Sequence, residues 1–167
     1  MKYIRFILII VLLGLLVRGK TQSLTISETI DYINTTFKEN KSNFDQDLDR
    51  VFKITDYGLL TFETYWKDET LMSTQSIYLK NIDSIFVQYS GTNNQQGWLQ
   101  LVRNPNYTVK TTTYKDIGTE ISYILPIILV FDNTDNSTSN KFINAFNHLL
   151  ELGKKNPKYL TSDPFDK

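Results

Sequence analysis

The sequence predicts an α+β domain: an N-terminal helix, about seven antiparallel strands bent into a sheet or barrel, and a C-terminal helix that caps it. Two observations carry this expectation. The apolar period is 3.6 after Thr25, changes to 2 from about Leu48, and returns to 3.6 from about Ser139. Between the two helical stretches, β-branched and aromatic runs alternate with turn residues, the pattern of a strand meander.

Residues 1–23 stand outside that domain. Lys2 and Arg5 precede an unbroken apolar run from Phe6 to Val17, followed by the polar stretch Arg18–Ser23. This is the layout of a secretory signal peptide, with Thr21 and Ser23 as small residues at the −3 and −1 positions of a cleavage site. A spanning helix needs roughly 20 apolar residues, more than this run supplies. The competing reading is an uncleaved anchor, because Arg18 and Lys20 crowd the cleavage region. The expected organisation is therefore a signal peptide over 1–23, one domain over 24–155 and a flexible tail over 156–167.

Within the domain, Thr25 and Glu28 form a T-x-x-E capping box, and Ile26, Ile30, Ile33 and Phe37 make one apolar helix stripe. Asn40–Asp47 is polar and ends the helix. Arg50–Thr55 and Leu59–Trp66 flank Asp56-Tyr57-Gly58, a hairpin turn. Leu71–Leu79 and Ile82–Tyr89 follow as strands, then an Asn/Gln-rich loop over Gly91–Gly97. Trp98–Arg103 and the Thr-rich Tyr107–Tyr114 continue the sheet across the turn Asn104-Pro105-Asn106. Ile121–Phe131 is the most apolar run after the leader, and its Pro126 predicts a bulge, an edge position or a break. Asp132–Asn140 supplies a cap for a helix over about Ser139–Leu152. Its apolar face is Phe142, Ala145, Phe146, Leu149 and Leu150, and Gly153, Lys154 and Lys155 form a stop signal. Seven strands with one apolar face are expected to curl into a barrel or two packed sheets, the last helix closing one end.

That element order, with the terminal helix Lys141–Leu152, resembles the pleckstrin-homology-like superfold over roughly Leu48 to Lys155. Small exported bacterial proteins ending in a similar A-F-x-H-L helix share the resemblance. It implies a bent seven-stranded sheet and a scaffold used mostly for recognition. Phosphoinositide-binding members carry a basic cluster in the first hairpin. Here Arg50–Trp66 offers Arg50 and Lys53 beside Asp49, Asp56 and Glu63, so headgroup binding does not carry over.

Composition narrows the function classes. After residue 23, fourteen Lys and Arg face eighteen Asp and Glu, a net charge of −4. Such a domain is a poor binder of nucleic acid or of anionic membrane surfaces. With no cysteine, it has neither disulfides nor a lipidated cysteine, which fits a soluble bacterial periplasmic protein with no stable membrane anchor after signal cleavage. The sequons at Asn34, Asn40, Asn106 and Asn136 matter only in a host that glycosylates them.

Few residues pattern as a site. Asp45, Asp47, Asp49 and Asp56 occupy calcium-loop positions 1, 3, 5 and 12, but Arg50 stands where the loop needs glycine and Val51 begins a strand. An acidic, solvated linker is the favoured reading, and Asp132–Ser137 reads as a helix cap. His148 lacks the second nitrogen or sulfur ligand of a zinc site and is read as a packing or capping histidine. Trp66, Trp98, Tyr65, Tyr78, Tyr89, Tyr107, Tyr114 and Tyr123 suit either a ligand platform or ordinary sheet packing, in which half would face the core. Trp98 is the aromatic to inspect for exposure. No catalytic, cofactor or metal residue is expected. The functional expectation is an exported, non-catalytic binding domain of the cell envelope whose partner is an envelope protein or peptide. The alternative is a carrier of a small hydrophobic ligand inside a β-barrel.

Overall fold

A computed structural model describes residues 24–42, 46–90, 96–103, 109–115, 118–122, 128–132 and 137–160. Helix α1 spans Ile26–Glu39 and opens on the expected capping box: Glu28 N–H donates to Thr25 Oγ1 (3.3 Å), and Thr25 N–H donates to Glu28 Oε2 (2.7 Å). Ile30, Ile33 and Phe37 of its stripe are buried. The strands are β1 (Leu48–Ile54), β2 (Leu59–Trp66), β3 (Leu71–Tyr78), β4 (Ile82–Ser90), β5 (Gln96–Arg103), β6 (Lys110–Lys115), β7 (Gly118–Ser122) and β8 (Ile128–Asp132). A 3₁₀ turn, Leu79–Asn81, links β3 to β4. Helix α2 (Ser137–Lys155) and the single helical turn α3 (Pro157–Leu160) complete the chain.

The strands, all paired antiparallel, form two sheets rather than a closed barrel: a five-stranded sheet in the order β1-β2-β3-β6-β7 and a three-stranded sheet in the order β4-β5-β8. The expected seventh strand, Ile121–Phe131, is two strands in different sheets, β7 and β8; Pro126 lies between them, outside the described residues. The expectation of closure assumed one apolar face throughout, and the register shows why it fails. Phe52, Leu60, Phe62 and Ile77 share the inner face of the five-stranded sheet. Continuing across β6 and β7, the same face carries Thr111, Thr113, Glu120 and Ser122. One full row, Arg50, Thr64, Ser73, Thr113 and Glu120, is polar across all five strands. Apart from Val109, buried just before β6, that half has little apolar surface on this face to drive it onto the other sheet.

The core lies where α1 and α2 cover the apolar ends of both sheets. Phe142, Ala145, Phe146, Leu149 and Leu150 of α2 are buried, as their spacing predicts. Phe146 meets Phe52 edge-on (5.3 Å between centroids), and Phe142 packs on Phe131 (4.9 Å) and Phe37 (6.4 Å). Two sheet edges are each engaged at one point by the segment before β1. Asn34 donates to the Phe52 carbonyl (2.9 Å) and accepts from Phe52 N–H (2.8 Å), imitating one residue of a neighbouring strand. Lys41 bridges Phe131 on β8, and Asp132 N–H donates to the Asn40 carbonyl (2.8 Å). The amides of sequons Asn34 and Asn40 are therefore engaged in structure, while Asn106 and Asn136 lie outside the described residues.

The chain end departs from expectation. Gly153 does not stop α2, which runs on to Lys155; the glycine lets the helix approach Leu79, whose Cγ would lie 3.0 Å from an added Cβ. Residues 156–160 pack down as well: Tyr159 is buried against Gly58, which holds φ +76° in the β1–β2 turn. The distal residues, 161–167, are outside the described set.

Two consequences can be measured by chemical denaturation. Asn34→Ala leaves a donor and an acceptor on Phe52 without their partner and is expected to cost about 1–3 kcal/mol. Gly153→Ala sets a helix-propensity gain of about 1 kcal/mol against overpacking of about 1–3 kcal/mol, a net loss; in a Leu79→Ala background the clash is gone and the same change becomes stabilising.

Candidate functional site

The residues singled out by sequence do not converge. Asp49 pairs with Lys41 (3.0 Å), Asp47 lies 3.7 Å from Lys67, and Asp56 sits beyond the other end of β1. Six residues, five of them in β1, separate Asp49 from Asp56 by about 20 Å, too far to share a cation, and Asp45 is outside the described residues. No group of three or more metal-ligating side chains occurs among the described residues. His148 does not cap α2, since the helix continues seven residues past it; its Nε2 lies 2.9 Å from the Leu24 carbonyl, to which it donates. It ties the residue before the α1 cap to α2 across a shallow groove of about 460 Å³.

The aromatic residues sort by polarity. Tyr65, Tyr78, Tyr89, Tyr114, Trp66 and Trp98 are all at least partly exposed, while the buried aromatic rings are phenylalanines and Tyr159, so none of these six lies fully in the core, although Tyr89 shares the inner face of β4 with Ile85 and Val87. Tyr and Trp keep their O–H and N–H near water or a partner, as Tyr89 does by donating to Ser139 Oγ (3.0 Å). Tyr107 and Tyr123 lie outside the described residues.

Two surfaces have the shape or chemistry to bind something. The first is the outer face of the three-stranded sheet. Ser84, Phe86 and Gln88 of β4 stand opposite Val102, Gln100 and Trp98 of β5, and Val130 of β8 stands opposite Trp98. Apolar and amide side chains thus alternate across the strands. Phe86 is 52% exposed, Trp98 40% and Val102 37%. Sequence marked Trp98; it missed Phe86, which reads as one more member of the apolar run Ile85–Val87 until the register fixes its face.

The second is an open groove of about 570 Å³ between α1 and the outer edge of β1. Ile26, Ile30 and Tyr159 contribute apolar surface, and Asp31 and Asp56 contribute carboxylates. Burial and the Asp56 charge raise the Tyr159 phenol above its ordinary value. The hydrogen-bond phase of β1 decides what the edge offers. Thr55 N–H donates to the Leu59 carbonyl (3.0 Å), whereas both Phe52 groups face Asn34 on the other side. By alternation the Ile54 N–H and C=O also point away from β2, into the groove. Only three-dimensional pairing reveals this, since Ile54 reads in sequence as an ordinary strand residue.

On the outer face of β1 and β2, Lys53 donates to Glu63 (2.6 Å), and Tyr65 donates to the same carboxylate. Burial pushes the Glu63 carboxyl up, but the hydrogen bonds from Lys53 and Tyr65 outweigh it and hold it below its ordinary value. The bond to Glu63 raises Lys53, and the same carboxylate raises Tyr65. Among the described residues no helix is long and apolar enough to cross a membrane.

A depressed carboxyl contributes stability fully above its unfolded value, 4.5, and loses it as pH falls through the folded one; a raised ammonium contributes fully below 10.5 and loses it at higher pH. Wild type is therefore expected to exceed Glu63→Gln by about 0.5 kcal/mol between pH 5 and 10, with the difference shrinking outside that window in urea titrations. Comparison of the chain with models of protein families, with curated proteins and with solved structures finds no match.

Proposed function

We propose that the chain is an exported, non-catalytic interaction domain of the cell envelope, and that the outer face of the three-stranded sheet is its recognition surface. The observation that carries this reading is the exposed Phe86, Trp98 and Val102 alternating with Gln88 and Gln100 on one pleated face. Exposed aromatic groups on a regular strand surface are the usual anchors of a protein interface, where a large rigid ring buries area at little entropic cost. The amides of Gln88 and Gln100 are neutral and add no charge that a partner would have to desolvate.

Export rests on the basic start, the apolar run Phe6–Val17 and the small residues Thr21 and Ser23. A net charge of −4 after residue 23 favours a protein or peptide partner over nucleic acid. Asp49 and Glu63 are each held by a lysine. The filling of the space between helices and sheets by Phe52, Phe62, Phe131, Phe142 and Phe146 favours a surface partner over a hydrophobic ligand held inside.

The test is in-cell photo-crosslinking of the full chain, with a benzophenone residue placed at position 86 or, as a control, at Thr61 on the five-stranded sheet. A discrete crosslinked species in the envelope fraction is expected from position 86 and not from 61. It should be lost with Trp98→Ser in a chain that melts at the wild-type temperature. Equal yields at the two positions, or no adduct at 86, would remove the support for this face.

A further inference from the structure

We infer that the groove between α1 and β1 is a binding site for a short extended peptide carrying a Lys or Arg, which pairs with the backbone of Ile54. This site is separate from the exposed sheet face and does not depend on it. Ile54 offers a donor and an acceptor spaced as in any β-ladder, directed into a groove of about 570 Å³. Asn34 already occupies the same edge at Phe52, two residues away, and shows that this line of the sheet accepts a strand-like partner. It also sets the length of the site, since a peptide strand reaching past Lys53 toward Phe52 would meet the Asn34 amide. What fits is a segment of three or four residues, with one residue paired to Ile54.

Charge selects the occupant. Asp31 on α1 and Asp56 at the hairpin turn both line the groove, and neither forms an ion pair among the described residues. Lys53, the one basic residue of the lining, turns its ammonium to Glu63 on the outer face of the sheet. The groove is thus acidic where the peptide backbone would lie, and a cationic side chain beside the paired residue meets two carboxylates. Apolar neighbours of that residue meet Ile26, Ile30 and Tyr159. The chain's own residues 161–167 contain Asp163 and Asp166 against a single Lys167, the wrong balance for this groove.

The experiment is an amide-resolved NMR titration of protein purified after expression of the full chain, using the blocked peptide acetyl-Val-Lys-Val-amide and its Lys-to-Glu counterpart as probes. Saturable shifts centred on the Ile54 and Thr55 amides are expected for the lysine peptide, with at least about tenfold weaker binding of the glutamate peptide. Ile54→Pro removes the outward N–H without touching the β1–β2 ladder and is expected to weaken binding about tenfold relative to Ile54→Ala, which loses the same side chain but keeps the donor. Asp31→Asn combined with Asp56→Asn, which leaves the strand intact, should weaken binding several-fold and flatten its salt dependence. Equal affinity for the two peptides, or equal affinity of the proline and alanine variants, overturns the inference. So does binding that appears only when residues 161–167 are deleted, because the groove would then belong to the chain's own tail.

Discussion

Two phenylalanines one helical turn apart hold this molecule together. Phe142 and Phe146 both project from the buried face of α2, and they reach different sheets: Phe146 meets Phe52 of the five-stranded sheet, and Phe142 meets Phe131 of the three-stranded one. No ladder joins the two sheets among the described residues. Their apolar union therefore runs through the helix, and Phe37 of α1 joins the same cluster beside Phe142. Tilted and edge-on rings at these separations contribute about 0.5–1.5 kcal/mol per pair beyond area burial. The i,i+4 spacing makes this possible, since it stacks two side chains on one helix face while leaving them a turn apart along the axis.

The same constraint explains the work done by α1 and the residues after it. A sheet held by a helix, not closed on itself, has edges, and exposed edges invite pairing with other chains. Asn34 meets the β1 edge in its middle, and the Lys41 bridge covers β8. Asn40 links these features: its carbonyl accepts from Asp132 N–H, and its side-chain oxygen accepts from Thr138 Oγ1 (2.9 Å) on α2. A polar stretch that reads as a helix terminator is thus also a clamp between a strand edge and the closing helix.

Much of this was legible in sequence, and the line of legibility is physical. Capping at Thr25 and Glu28, the stripe of α1, the face of α2 and the span of β2 follow from local spacing, and each forms where expected. Local spacing carries no information about which strands pair. The departure of β4 from the first three strands, and the division of Ile121–Phe131 between two sheets, depend on partners far along the chain. Gly153 looked like a stop because a glycine near lysines commonly is one; its real neighbour, Leu79, is 74 residues earlier. Candidate surfaces were legible only in part. Trp98 announces itself by type, whereas Ile54 matters through the direction of its backbone, which no side chain encodes.

That direction bears on how the edge is guarded. A long strand pairing between two copies needs several consecutive hydrogen-bonded residues on each chain, and blocking any one in the middle breaks the series. Asn34 blocks the middle. It leaves Ile54 on one side with its own donor and acceptor and with a groove in front of them. A single side-chain amide is thus enough to reject an extended intruder while leaving room for a short one. Protection of β1 from aggregation and selection for a brief segment are then two results of one contact, and the position of Asn34 along α1 sets the boundary between them.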